Sequence, residues 1–124
     1  MTVEELYGLI GGNYAEAKSR LMNDKLVSRF IIKFLDDTSY AQLMEGWEAG
    51  DGEAIFRASH TMKGVCGNLA LTELFETADT ITEAYREGNE EILAKTDVPA
   101  LIEELKSKYQ NTMDAINAFA AEQE

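Results

Sequence analysis

Apolar residues spaced three and four apart run almost from one end of this chain to the other, with a single proline to interrupt them. That spacing gathers them on one face of a helix and scatters them across both faces of a strand. No sustained apolar-polar alternation is present, and no Asn-Gly or Asp-Gly pair sits between β-branched runs. The chain is expected to be all-α.

The stripe comes in pieces with recognisable ends. Leu6, Leu9 and Ile10, then Tyr14, Ala17 and Leu21, predict two short helices parted at Gly11-Gly12. From Asp24, the positions Leu26, Val27, Phe30, Ile31, Phe34 and Leu35 describe one buried face, ending at Asp36-Asp37-Thr38. A helix over about 39–49, with Tyr40, Leu43, Met44 and Trp47 inward, stops at Gly50, and Asp51 is placed to cap a helix over about 52–69. Leu74, Phe75, Ala78, Ile81 and Tyr85 mark another over about 72–86, which Gly88 ends. After a polar linker, Asp97 caps a last helix with Pro99 in its first turn and Leu101, Leu105, Tyr109, Met113, Ile116 and Phe119 as its stripe.

Long amphipathic helices joined by short connectors bury their stripes against one another. The expected architecture is an antiparallel four-helix bundle with a short N-terminal helical cap, the cap over 1–23 and the bundle over 24–121. With 124 residues, 45% of them hydrophobic, there is material for one core, and 1–124 is read as a single domain.

Charge narrows the partners. Eleven Lys and Arg stand against 23 Asp and Glu, a formal net charge of −12, which repels nucleic-acid backbones and anionic membranes. No apolar run approaches the roughly 20 residues that cross a bilayer. The lone Cys66 has no disulfide partner, and Met1 leads into Thr2-Val3-Glu4-Glu5 rather than a basic and then apolar leader. A cytoplasmic monomer is expected.

The only histidine is His60, in Ser59-His60-Thr61-Met62-Lys63-Gly64. At about 100° per residue, Ile55, Ala58, Met62, Val65 and Leu69 lie within roughly 40° of the direction opposite it. His60 should therefore face outward. Phe56, Lys63, Gly64 and Gly67 fall within about 60° of it on the same side, and Arg57 lies at the far edge. Each mid-helix glycine costs about 1 kcal/mol relative to alanine. Bare backbone beside His60 gives that cost a use, because it lets another protein approach, with Phe56 as an apolar contact. Imidazole is a competent nucleophile near neutrality, and a phosphoryl group on it carries close to two negative charges that Lys63 is placed to meet.

Ser59-His60-Thr61-Met62-Lys63-Gly64 with Asn68-Leu69, the Glu48-Ala49-Gly50-Asp51 turn and the Tyr85-Arg86-Glu87-Gly88-Asn89 helix end resemble the histidine phosphotransfer (HPt) domain family, of the stand-alone bacterial type. The resemblance covers nearly the whole chain. It implies a phosphocarrier without kinase activity of its own, in which His60 takes a phosphoryl group from a receiver-domain aspartate or a sensor (hybrid) histidine kinase and passes it to another receiver. Lys63 would stabilise the phosphate and Gly64 give clearance for docking, with Phe56, Arg57 and Gly67 around it. Thr82 and Arg86, on the following helix, match positions that some members place near the phosphate. Two residues depart from the family pattern: Ala70 stands where many members have glycine, and Ser59 where alanine is usual.

Other classes fit less well. A histidine kinase needs an ATP-binding domain, for which the chain lacks room, and the sequence shows no Gly-rich nucleotide motif. One histidine and one cysteine are too few for a metal or haem site, so no cofactor is expected. The remaining alternative is an adaptor that docks a receiver domain through the His60 face without transferring phosphate.

Overall fold

The computed structural model describes residues 1–123, and no strand occurs among them. Two short helices open the chain, α1 (Val3–Leu9) and α2 (Tyr14–Leu21), broken at Gly11-Gly12 as the spacing requires. Thr2 and Glu5 cap α1 reciprocally, the Thr2 hydroxyl accepting from the Glu5 amide at 3.1 Å and the Glu5 carboxylate from the Thr2 amide at 2.8 Å. Next come α3 (Asp24–Lys33), running into a 3-10 turn over Phe34–Asp36, and then α4 (Ser39–Ala49), α5 (Gly52–Asn68) and α6 (Thr72–Tyr85). The stretch expected to be a plain linker holds one more short helix, α7 (Glu90–Ala94), before α8 (Val98–Glu122). Five residues are too few to show a period.

The turn between α4 and α5 is local chemistry throughout. Gly50 adopts φ +64°, which ends α4 at little steric cost, and the Asp51 carboxylate accepts from the Ala54 amide at 3.2 Å to start α5. So short a turn sends α5 back along α4. α6 packs on α5 and α8 on α6, while Tyr40 of α4 stacks on Tyr109 of α8 with ring centroids 3.7 Å apart. α1 lies on α8 and α2 on α3, so one continuous core runs from Val3 to Phe119.

Three expectations about which face is buried need correction. Leu9 is 61% exposed, and Tyr7 takes its place in the core, its hydroxyl donating to the Leu69 carbonyl at 2.7 Å. Phe30 is 38% exposed at the edge of the α3 stripe, which turns inward through Val27, Ile31 and Phe34. On α5 the buried residues are Ile55, Ala58, Ser59, Met62 and Cys66, with Val65 only half-buried. That is the expected stripe rotated by roughly 40° toward Lys63, because α6 packs on that flank. Ser59 stays satisfied inside by donating to the Phe56 carbonyl at 3.2 Å.

The exit of α5 explains the departure at Ala70. The amide of Ala70 donates to Gly67 and that of Leu71 to Cys66, at 3.1 and 2.9 Å, which is the paired bonding of a Schellman end. Its pivot residue is left-handed, and Ala70 sits there at φ +55°. Alanine in that conformation costs about 1 to 2 kcal/mol that glycine avoids. The same exit is covered from outside: the Asn13 amide donates to the Ala70 carbonyl at 2.8 Å, and the Arg20 guanidinium donates to that of Gly67.

Close approach of α4 to α5 rests on Gly46. A Cβ there would lie 3.1 Å from the Ile55 amide nitrogen and 3.2 Å from the Ala54 methyl. Gly46→Leu should therefore overpack the helix pair and destabilise the fold by about 1 to 3 kcal/mol, despite leucine's better helix propensity. Chemical denaturation checks this; an unchanged midpoint would mean that α4 is free to slide outward.

Candidate functional site

His60 stands exposed at the middle of α5, as the wheel requires. The Phe56 ring, one turn earlier, lies nearly parallel to the imidazole at 13° with centroids 5.8 Å apart. From the end of α6, the Arg86 guanidinium sits 5.3 Å over the Phe56 ring. Arg86 is itself fixed by Glu83, donating from Nε at 2.9 Å and from Nη2 at 3.0 Å to its two carboxylate oxygens. That bond, ahead of any other influence, holds the Glu83 carboxyl below its usual range.

Lys63 points across to α6. Its Nζ lies 2.7 Å from Asp79 Oδ1 and 3.9 Å from Glu83 Oε1, with the side chain only 25% exposed. The cation expected to meet a phosphate thus has two carboxylate neighbours already. Asp79 and Glu83 were not singled out from the sequence; their four-residue spacing on the flank of α6 that meets α5 was the available signal.

The glycines divide. A Cβ on exposed Gly64 would meet nothing within 4 Å, so no packing inside this chain accounts for it. A Cβ on Gly67 would touch the Phe75 ring at 3.4 Å, and Gly67 is half-buried. It serves the α5–α6 contact as much as any open face. Gly64 and Gly67 line a groove of about 540 Å³ beside His60, with Lys63, Arg20 and Phe75. Neither Arg20 nor Phe75 was foreseen in this role, since both come from helices whose placement only the fold decides.

Arg57 is exposed, paired with Glu53 at 2.6 Å. Thr82 is not brought to the site: it is fully buried, and its hydroxyl donates to the Ala78 carbonyl at 2.7 Å. Cys66 is also buried, which pushes its thiol up to about 12 and leaves no thiolate at neutral pH. Among the described residues no three His, Cys, Asp or Glu side chains are grouped to hold a metal. No helix there is long and apolar enough to cross a membrane.

The site is thus an outward imidazole on a helix, with paired cations beside it and bare backbone next to it. The family model of the Hpt domain matches residues 30–116, and the chain belongs to the Hpt domain family. No curated protein and no solved structure matches it. Its function is histidine phosphotransfer in a phosphorelay. Hpt domains are phosphocarriers, not kinases, and they interact with receiver domains and histidine kinases.

Proposed function

We propose that His60 is the residue that carries the phosphoryl group, and that Phe56, Arg57 and Gly64 form the surface on which a receiver domain docks. The observation that carries this is the pairing of the chain's only imidazole, exposed, with a helical glycine whose outer side is empty. On receipt, an imidazole nitrogen attacks phosphorus and the acyl phosphate's P–O bond breaks, returning its electron pair to the receiver carboxylate. On donation, a carboxylate oxygen attacks, the P–N bond breaks and the pair returns to the ring. Lys63 and Arg86 are the cations on the flank of the face toward α6, and the phosphoryl group competes with Asp79 for Lys63.

In this reading the chain is a single domain that makes no phosphoryl group from ATP itself. It acts as a monomer, which its strong negative charge favours. The absence of a second cysteine fits the cytoplasm.

Incubation with a receiver domain charged by acetyl phosphate tests the proposal. Acid-labile, alkali-stable phosphate should appear on this chain; stable docking without such phosphate would leave an adaptor in its place. In the same assay Lys63→Ala should lower phosphohistidine at equilibrium about fivefold, the worth of roughly 1 kcal/mol. Its melting temperature should stay within a few degrees, since a partly exposed ion pair contributes at most about 1 kcal/mol to folding. An equal phosphohistidine yield would make Lys63 an ordinary surface residue.

A further inference from the structure

We infer that Asp79, seconded by Glu83, competes with the phosphoryl group for Lys63 and so keeps that group easy to give away. This rests on the reading of His60 as the phosphorylated residue. Before phosphorylation the flank of His60 facing α6 holds two cations, Lys63 and Arg86, and two carboxylates, Asp79 and Glu83, already paired with one another. The pairing is close: Lys63 meets Asp79 at 2.7 Å and Arg86 meets Glu83 at 2.9 Å. A phosphoryl group with nearly two negative charges therefore arrives where no cation is unengaged. To gain Lys63 it must draw the ammonium away from Asp79 or share it with that carboxylate, and either way the phosphoryl group takes its place near Asp79 and Glu83.

The consequence is one of linkage. A group that binds the unphosphorylated state better than the phosphorylated one shifts the equilibrium toward the former by the difference in those interactions. Asp79 is such a group. Its ion pair is with Lys63, and it acts through Lys63 as a positioning residue. Without it Lys63 has one carboxylate neighbour fewer, and the phosphoryl group faces one negative charge fewer. Asp79 is 38% exposed, so solvent screens the pair and limits its worth.

The test is the position of equilibrium, which rate changes do not move. Full-length chain and a slowly self-dephosphorylating receiver domain are mixed, the receiver is charged with acetyl phosphate and freed of the donor, and both phosphorylated species are measured when their ratio is constant. Asp79→Asn and Asp79→Ala should raise the ratio of phosphohistidine to phosphoaspartate two- to tenfold. Asp79→Glu should restore the wild-type ratio, and the gain should shrink as salt is added. In a Lys63→Ala background most of the gain should vanish, because the competitor has nothing left to compete for. A lower ratio in Asp79→Asn would mean that Asp79 holds Lys63 ready for the phosphate, and an equal ratio that the pair is idle; either overturns the inference. If the wild-type chain takes no phosphate at His60, the site assignment itself fails, a result separate from both.

Discussion

His60→Gln should leave no acid-labile phosphate on this chain, whatever donor is offered. The chain has no second imidazole, and its one thiol is buried in the core with burial holding it protonated at neutral pH. Glutamine has the length to span the same surface but no nitrogen lone pair of comparable nucleophilicity. The fold should survive, because the imidazole is exposed and its one aromatic neighbour, Phe56, keeps the Arg86 contact. The expected result is complete loss of labelling with a melting temperature shifted by no more than a few degrees. Labelling that persists would move the chemistry to another nucleophile. A variant that unfolds would show that His60 supports the core, against its position on the helix.

Gly64→Gln should make the protein more stable and much worse at its task. Gly64 lies inside a continuous helix, outside the left-handed region, with space around the point where a Cβ would stand. Glutamine there removes the entropy cost of a helical glycine, and stability should rise by roughly 0.5 to 1 kcal/mol. The new side chain would rise beside His60, where a receiver must come close. In-line transfer needs reacting atoms about 3 to 3.5 Å apart, and a misplacement of about 1 Å can cost 100-fold. Transfer should fall by about that factor. Gly46 is the internal control, a helical glycine on the neighbouring helix whose enlargement should destabilise. If Gly64→Gln destabilises by several kcal/mol, the site packs against something in the fold; if it transfers at the original rate, docking occurs elsewhere.

What the sequence disclosed and what it withheld separate along the range of the interactions involved. Gly50, Asp51 and Asp97 punctuate helices through bonds to residues within a turn, Pro99 fits a first turn that needs no amide donor, and each stands where the pattern placed it. The outward direction of His60 follows from the period of a single helix and required no neighbour. The rotation of the α5 stripe did require one, since Ser59 and Cys66 are buried rather than Val65 because of where α6 lies. Thr82 shows the same limit: a hydroxyl one turn before Arg86 reads alike whether its face is wet or dry, and only packing turned it inward. Lys63 was legible as a cation beside the histidine, but Asp79 and Glu83 sit on another helix and their pairing is a property of the bundle. Ala70 was visible only as a residue out of pattern; its backbone angle supplies the reason glycine suits that place.

The covered exit of α5 bears on how a unit of recognition differs from a unit of folding. The matched segment opens at residue 30, partway along α3. Yet the donors that reach the carbonyls of Gly67, Leu69 and Ala70 come from Arg20, Tyr7 and Asn13, all upstream of that point. A helix end buried without partners leaves each such carbonyl at a cost of about 1 to 3 kcal/mol. A segment cut at the family boundary and grafted into another protein would keep His60, Lys63, Gly64 and the Schellman bonds of their helix, but lose the donors that cover its end from outside. The host would have to supply donors of its own for the Leu69 and Ala70 carbonyls, since that of Gly67 keeps the Ala70 amide, which ties the shareable part of this chain to a less shareable preface.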